Sequence, residues 1–213
     1  MKGDVIHIGE EHRAAAGTIV DHYWSDIERS DVPFVFTVAG ESGSGKSETG
    51  HAIQEAVESR GKAAYVFQQD DYFVLPPKSN DARRREDISW VGTQEVRLDL
   101  LDEHLSLARE RTRSVEKPVI DYDADRIESE TVDLSNIAVI VAEGTYTTLL
   151  TADRHVFIDR NRLQTMESRK KRAREPIEPF LEQVLELEHQ IIAQHKDRAH
   201  VIISNEYEVS FVE

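Results

Sequence analysis

Eight residues constrain this chain more than any others. Gly40-Glu41-Ser42-Gly43-Ser44-Gly45-Lys46-Ser47 satisfies the pattern G-x-x-x-x-G-K-[ST] at every fixed place. The apolar run Pro33 to Ala39 precedes it and reads as a buried strand, and a helical run from Lys46 to Glu58 follows. A flexible Ser/Gly linker would not sit between a β-branched strand and a helix. Glycines at these places strip away side chains, so successive backbone N–H groups can converge on the oxygens of a phosphate chain. Lys46 adds a point charge at the β- and γ-phosphates. A helix starting at about Gly45 aims its free N–H groups and positive dipole end at the same oxygens. Gly40 through Ser47, with Glu48 in the first helical turn, are therefore the expected nucleotide contacts, and the Ser47 hydroxyl is a candidate Mg²⁺ ligand.

The 213 residues, 39% of them apolar, suffice for one sizeable core and read as one domain overall. A net charge of −15 opposes nonspecific binding to polynucleotides or anionic lipid, so neither is an expected partner. The absence of cysteine excludes disulfides and thiolate metal sites. No apolar run approaches the roughly 18 residues that span a bilayer, and the first residues do not read as a secretory signal. A cytoplasmic protein is expected, with homo-oligomerisation compatible. Basic residues cluster at Arg83-Arg84-Arg85, at Arg109 to Arg113 and at Arg169 to Arg174.

Along the chain, His12 to Glu28 repeats apolar residues every four positions, which predicts an amphipathic helix on the outside of the domain. Ala63 to Phe67 reads as the second strand, with Gln69-Asp70-Asp71-Tyr72-Phe73 at its carboxyl end. Ligands of open α/β sheets bind beyond the carboxyl ends of strands, so these carboxylates belong to the rim that carries the phosphate loop. Residues 74–92 read as a long irregular excursion, and 93–109 as a helix. The segments 117–122 and 130–134 read as a small antiparallel pair. Asn136 to Ala142 is the most apolar stretch, fits a central parallel strand and ends at Glu143. A strand at 154–158, a basic helix at 161–174, a helix from Pro176 or Pro179 through Gln194, a strand at 200–204 and an edge piece at 207–212 complete the chain. Strands alternating with helices predict α/β architecture with a doubly wound, mostly parallel, five-stranded sheet.

Four features in order, over about residues 33–205, resemble the uridine kinase and phosphoribulokinase-like family of phosphate-loop kinases. They are GESGSGKS; VFQQDDYF, similar to the family's Asp-Ser-Phe-Tyr segment; VIVAEGTY, similar to its apolar strand ending Glu-Gly; and Lys170-Lys171-Arg172-Ala173-Arg174-Glu175, similar to its Arg-Arg-x-x-Arg-Asp lid helix. The resemblance implies a P-loop NTPase fold of the nucleoside-kinase type, with a kinase domain at 32–213 behind an N-terminal helical extension at 1–31, and a lid helix. It implies an ATP- and Mg²⁺-dependent transfer of a γ-phosphoryl group to a hydroxyl of a small metabolite. Asp70 would orient the hydroxyl and accept its proton, Lys46 and Arg174 would meet the charge of the transferred group, and Arg169 and Arg172 would hold nucleotide. Ser47, Asp70 and Glu143 would serve the metal, and Tyr72, Asp121 and Arg126 the acceptor. The alternative from another class is a regulatory protein that binds nucleotide without transfer. Two departures weaken a nucleoside acceptor: Asp125 stands near the place of the family's histidine, and Ile88 to Gln94 replaces its Asp-His-Pro-Asp-Ala segment.

Overall fold

The computed structural model describes residues 5–161, 164–165 and 179–212. Its centre is a six-stranded sheet in the order β2-β5-β1-β6-β7-β8, where β1 is Phe34–Gly40, β2 Ala63–Gln68, β5 Ile137–Glu143, β6 Arg154–Ile158, β7 Val201–Ile203 and β8 Val209–Phe211. Neighbours from β2 to β7 run parallel, and β8 returns antiparallel on the edge. The sheet thus has one strand more than the five expected, the addition being the short edge piece.

Helices cover both faces, so the central strands are apolar on both sides. Phe34, Phe36 and Val38 of β1, with Val139 and Val141 of β5, face one core, shared with α1 (Glu10–Arg29) and α2 (Lys46–Glu58). Val35 and Ala39, with Ile140 and Ala142, face a second core under α4 (Leu98–Arg109) and α5 (Pro179–Ile192). Helix α1 contributes Ala15, Ala16, Ile19, Val20, Tyr23 and Ile27 to the first core, all buried.

Outside the sheet, β3 (Ser114–Asp121) and β4 (Arg126–Asp133) pair antiparallel as a separate hairpin. Most of β4 is exposed and polar, with only Val132 buried, so the first half of that strand leaves no apolar alternation in the sequence.

The excursion at 74–92 is not irregular. It contains helix α3 (Pro77–Glu86), followed by single turns of tighter helix at Ile88–Trp90 and Thr93–Glu95. Proline occupies the first helical position of α3, where its missing N–H costs nothing. Asn80 is its one buried residue, so the helix has no apolar stripe to betray it. Polar ties hold it instead: Asn80 Nδ2 donates to Glu95 Oε1 (3.0 Å), Arg84 bonds both Glu95 oxygens, and Trp90 Nε1 donates to Asn80 Oδ1 (2.8 Å). Glu95 is fully buried, and Arg84 also reaches Glu188 on α5 at 3.3 Å. Arg84 is therefore a structural ion-pair residue, and Arg83 and Arg85 pair along their own helix with Glu86, Asp87 and Asp81.

Candidate active site

Sheet register builds the site. Strand β5 lies between β2 and β1, and Glu143 is level with Gln68 on one side and Val38 on the other. Two residues beyond each neighbour come Asp70 and Gly40, so Glu143 stands between the carboxylate turn and the phosphate loop.

The loop joins β1 to α2. Gly45, the residue before the helix, is left-handed with φ 99°, and a Cβ there would lie 2.9 Å from Tyr207 Oη and 3.1 Å from His12 Nε2. Only glycine fits that place. Ser44 N–H donates to Glu41 O (3.1 Å), and Lys46 Nζ donates to the same carbonyl (3.0 Å). Ser44 Oγ is buried with no hydrogen-bond partner among the described residues. The Glu41 carboxylate points away from this cradle, its Oε1 lying 2.6 Å from His189 Nδ1 on α5, so only its backbone is offered to a phosphate.

Ser47 Oγ donates to Glu143 Oε1 at 3.0 Å. Glu143 is 4% exposed. Burial first, and the Asp70 charge second, push its carboxyl up to about 7, with Lys46 and the Ser47 hydroxyl pulling the other way. A buried carboxylate held near neutrality beside a second one is poised for a cation. Among the described residues no cluster of three His, Cys, Asp or Glu side chains could hold a metal alone. Mg²⁺ takes one or two protein carboxylates together with substrate phosphates, so Ser47, Glu143 and Asp70 fit that ion, and the glycine cradle with the orphaned Ser44 hydroxyl fits the phosphates.

The two adjacent aspartates diverge. Both lie in a turn of tighter helix, Gln69–Tyr72, but Asp70 is partly exposed and Asp71 is 2% exposed. The turn is tied to the end of β5 by Gln69, whose Oε1 accepts from Tyr146 N–H at 2.7 Å. Gly144 permits this approach, since a Cβ there would fall 2.2 Å from Gln69 Cβ.

Tyr72 does not line an acceptor pocket. It is 0% exposed, packs among Phe67, Leu101 and Leu105, and shares a 2.8 Å hydrogen bond between its hydroxyl and His104 Nδ1. Asp121 and Arg126 are cross-strand partners at the hairpin end, their charges 3.6 Å apart. Asp121 follows Ile120, whose N–H donates to Asp71, so the hairpin end lies beside the carboxylate turn. The neighbouring Asp125 is spent on structure: its oxygens accept from Lys78 N–H (2.7 Å) and Ser79 Oγ (3.0 Å) at the start of α3.

Arg169, Arg172 and Arg174, with the rest of the expected lid helix, lie outside the described residues. Besides Lys46, the phosphate loop meets a second cation that sequence reasoning did not anticipate. Arg160, two residues beyond β6, donates from Nη1 to Ser44 O (3.4 Å) and Tyr207 Oη (2.9 Å), and from Nε to Asn205 Oδ1 (3.1 Å). Its position at the carboxyl end of a parallel strand was the available signal. His12 supports the same face: Gly9 N–H donates to Nδ1 (3.0 Å), which leaves Nε2–H to donate to Tyr207 Oη (2.9 Å). Burial holds His12 below its ordinary value, which favours this neutral form.

The model of the Phosphoribulokinase / Uridine kinase family matches residues 35–159, more than half of the chain. The bifunctional alpha-galactosidase/sucrose kinase AgaSK of Mediterraneibacter gnavus is 29% identical over 81% of this chain and 20% of its own length. The uridine kinase of Ureaplasma parvum serovar 3 is 30% identical over 54% of each chain. This chain thus spans a fifth of the first relative and about half of the second. Among solved structures, the D-glycerate 3-kinase from Cryptococcus neoformans var. grubii superposes with a TM-score of 0.64 at 12% identity, covering 96% of this chain and 100% of that one, a likeness of fold alone.

Proposed function

Because the chain belongs to the Phosphoribulokinase / Uridine kinase family, we propose that it transfers the γ-phosphoryl group of ATP to a hydroxyl of a small metabolite. The observation that carries the reading is Glu143, a buried carboxylate that joins the phosphate-loop serine on one side and feels the Asp70 charge on the other. Mg·nucleotide binding alone would account for Glu143 and Ser47; a second, partly exposed carboxylate at Asp70 is what transfer to a hydroxyl needs in addition.

Phosphoryl transfer proceeds through a loose transition state whose charge spreads over the transferred oxygens, so the protein contributes positioning and electrostatic stabilisation. In the proposed arrangement the N–H groups of residues 43–47 hold the β- and γ-phosphates, and Lys46 leaves the Glu41 carbonyl to meet them. Partly exposed Asp70 orients the acceptor hydroxyl and takes its proton as the O–P bond forms. Mg²⁺, when bound through Ser47, Glu143 and Asp70, would supply charge neutralisation of the transferring group. The lid arginines, with Arg174 foremost, would close over it.

For the acceptor we favour a sugar, polyol or hydroxy acid over a nucleoside. Two observations support this: Asp125, near the place of the family's histidine, caps α3 instead, and a relative named as a sucrose kinase accompanies the uridine kinases. The test is ADP release with Mg·ATP across sucrose, fructose, D-glycerate, pantothenate, uridine and cytidine. Turnover with a member of the first three is expected, and Lys46→Ala should reduce it at least about 100-fold with the melting temperature unchanged. Activity of that variant within about threefold of wild type, under about 1 kcal/mol of barrier, would refute the phosphate-loop mechanism.

A further inference from the structure

Among the described residues the β3–β4 hairpin shares no strand pairing with the main sheet, and a two-stranded hairpin is marginally stable unless other elements pack against it. Its placement relative to Asp70 depends on side chains: Val115 and Val132 anchor one end in the second core, and at the other a buried ion pair ties the hairpin to the carboxylate turn. Asp71 Oδ2 accepts from Lys117 Nζ at 2.8 Å and Oδ1 accepts from Ile120 N–H at 3.0 Å. Lys117 is 3% exposed, donates to Pro118 O (3.2 Å), and lies 3.1 Å from Glu130 Oε1, its cross-strand partner. A single ammonium therefore joins the turn, β3 and β4.

We propose that Asp71 and Lys117 are positioning residues that set the hairpin against the Asp70 turn, and so govern acceptor recognition without touching acceptor or nucleotide. The proposal rests on the kinase reading above. Consecutive side chains on a turn of tighter helix diverge by about 120°. Asp70 can thus face the reaction while its neighbour is locked into the hairpin, one residue from Asp121. A buried ion pair is a poor source of stability compared with apolar residues of similar volume, and its best-attested use is to fix a unique arrangement. Here the arrangement fixed is the separation of the proton acceptor from the acceptor-binding end of the hairpin.

Beside the pair lies a cavity of about 420 Å³ whose lining includes His51, Gln54, Gln68, Asp71, Lys117 and Glu130. Lys117→Ala would enlarge this cavity toward Asp71, so a small ammonium that enters it can be offered to the vacated position as a chemical rescue.

The test compares Lys117→Met, Lys117→Ala, Asp71→Ala and the double variant D71N/K117M with wild type, using whichever panel member turns over. The expected result is an acceptor KM raised at least tenfold in each, with ATP KM and acceptor-independent ATP hydrolysis within twofold of wild type. Ethylammonium should restore part of the acceptor affinity to Lys117→Ala and none to Lys117→Met, whose side chain fills the space. The double variant, which buries no unpaired charge, should melt no lower than wild type and still show the acceptor defect. A double variant with wild-type acceptor KM, or a parallel rise in ATP KM, overturns the proposal. Amide exchange gives a readout free of activity: Asp71→Ala should speed exchange at Ile120 at least tenfold while β5 is unchanged, and unaltered exchange there also overturns it. A wild-type protein that phosphorylates none of the panel would refute the kinase reading instead, and exchange at Ile120 then decides the clamp alone.

Discussion

Glu143→Gln should stabilise the nucleotide-free protein above neutral pH while destroying its turnover. Burial and the Asp70 charge raise the Glu143 carboxyl from its ordinary 4.5 to about 7. At about 1.4 kcal/mol per pH unit, holding this side chain ionised in the folded state costs up to about 3 kcal/mol. The sign follows from linkage. A carboxyl raised on folding favours the native state when protonated, so its contribution is full below pH 4.5, fades as pH rises toward 7, and is gone above. Glutamine keeps an acceptor oxygen for Ser47 Oγ and never ionises, so it escapes that loss. For a chain of this size about 3 kcal/mol corresponds to roughly 6–12 °C in melting temperature. The assay is a series of thermal melts of both proteins from pH 5 to 8 without nucleotide or Mg²⁺. The variant's advantage should grow across that range and reach most of its value at pH 8. A difference independent of pH, or a variant less stable than wild type at pH 8, would refute the placement of Glu143 as a strained, metal-ready carboxylate.

Asp70→Asn should retain Mg·ATP binding and lose transfer by about 100-fold or more, the lower range for a general base; calorimetric titration of nucleotide and a transfer assay separate the two effects. Gly45→Ala should abolish nucleotide binding and lower stability by about 1–3 kcal/mol, because the added methyl meets Tyr207 and His12 at a left-handed backbone; denaturant unfolding and titration check it. On the role proposed for it, Arg174→Ala should lower kcat more than it weakens ATP affinity, since a cation that meets the transferred group gains interaction toward the transition state; equal effects on both would make it a binding residue.

The central sheet and the phosphate loop were legible in the sequence because each rests on local chemistry. Strands β1 and β5 announce themselves as unbroken apolar runs, and the loop's glycines and lysine sit at fixed spacing. Glu143 was legible for the same reason, being the first charge after such a run. Helix α3 was not, since its contacts are polar and reach Glu95 and Glu188, 11 and 104 residues from Arg84. Tyr72 was misassigned because an aromatic after a strand reads alike whether it turns inward or toward the rim; His104, 32 residues away, decides the matter. The roles of Asp71 and Lys117 depend on a tertiary pairing of a turn with a hairpin, for which a single lysine within a strand gives no signal.

The most direct test of the account is phosphorus NMR of Mg·ATP incubated with the protein and each member of the acceptor panel. A kinase should give ADP together with a phosphomonoester resonance that requires an acceptor, and both should be lost in Lys46→Ala. ATP that stays intact with every acceptor, or is hydrolysed to inorganic phosphate alone at a rate no acceptor changes, would contradict it.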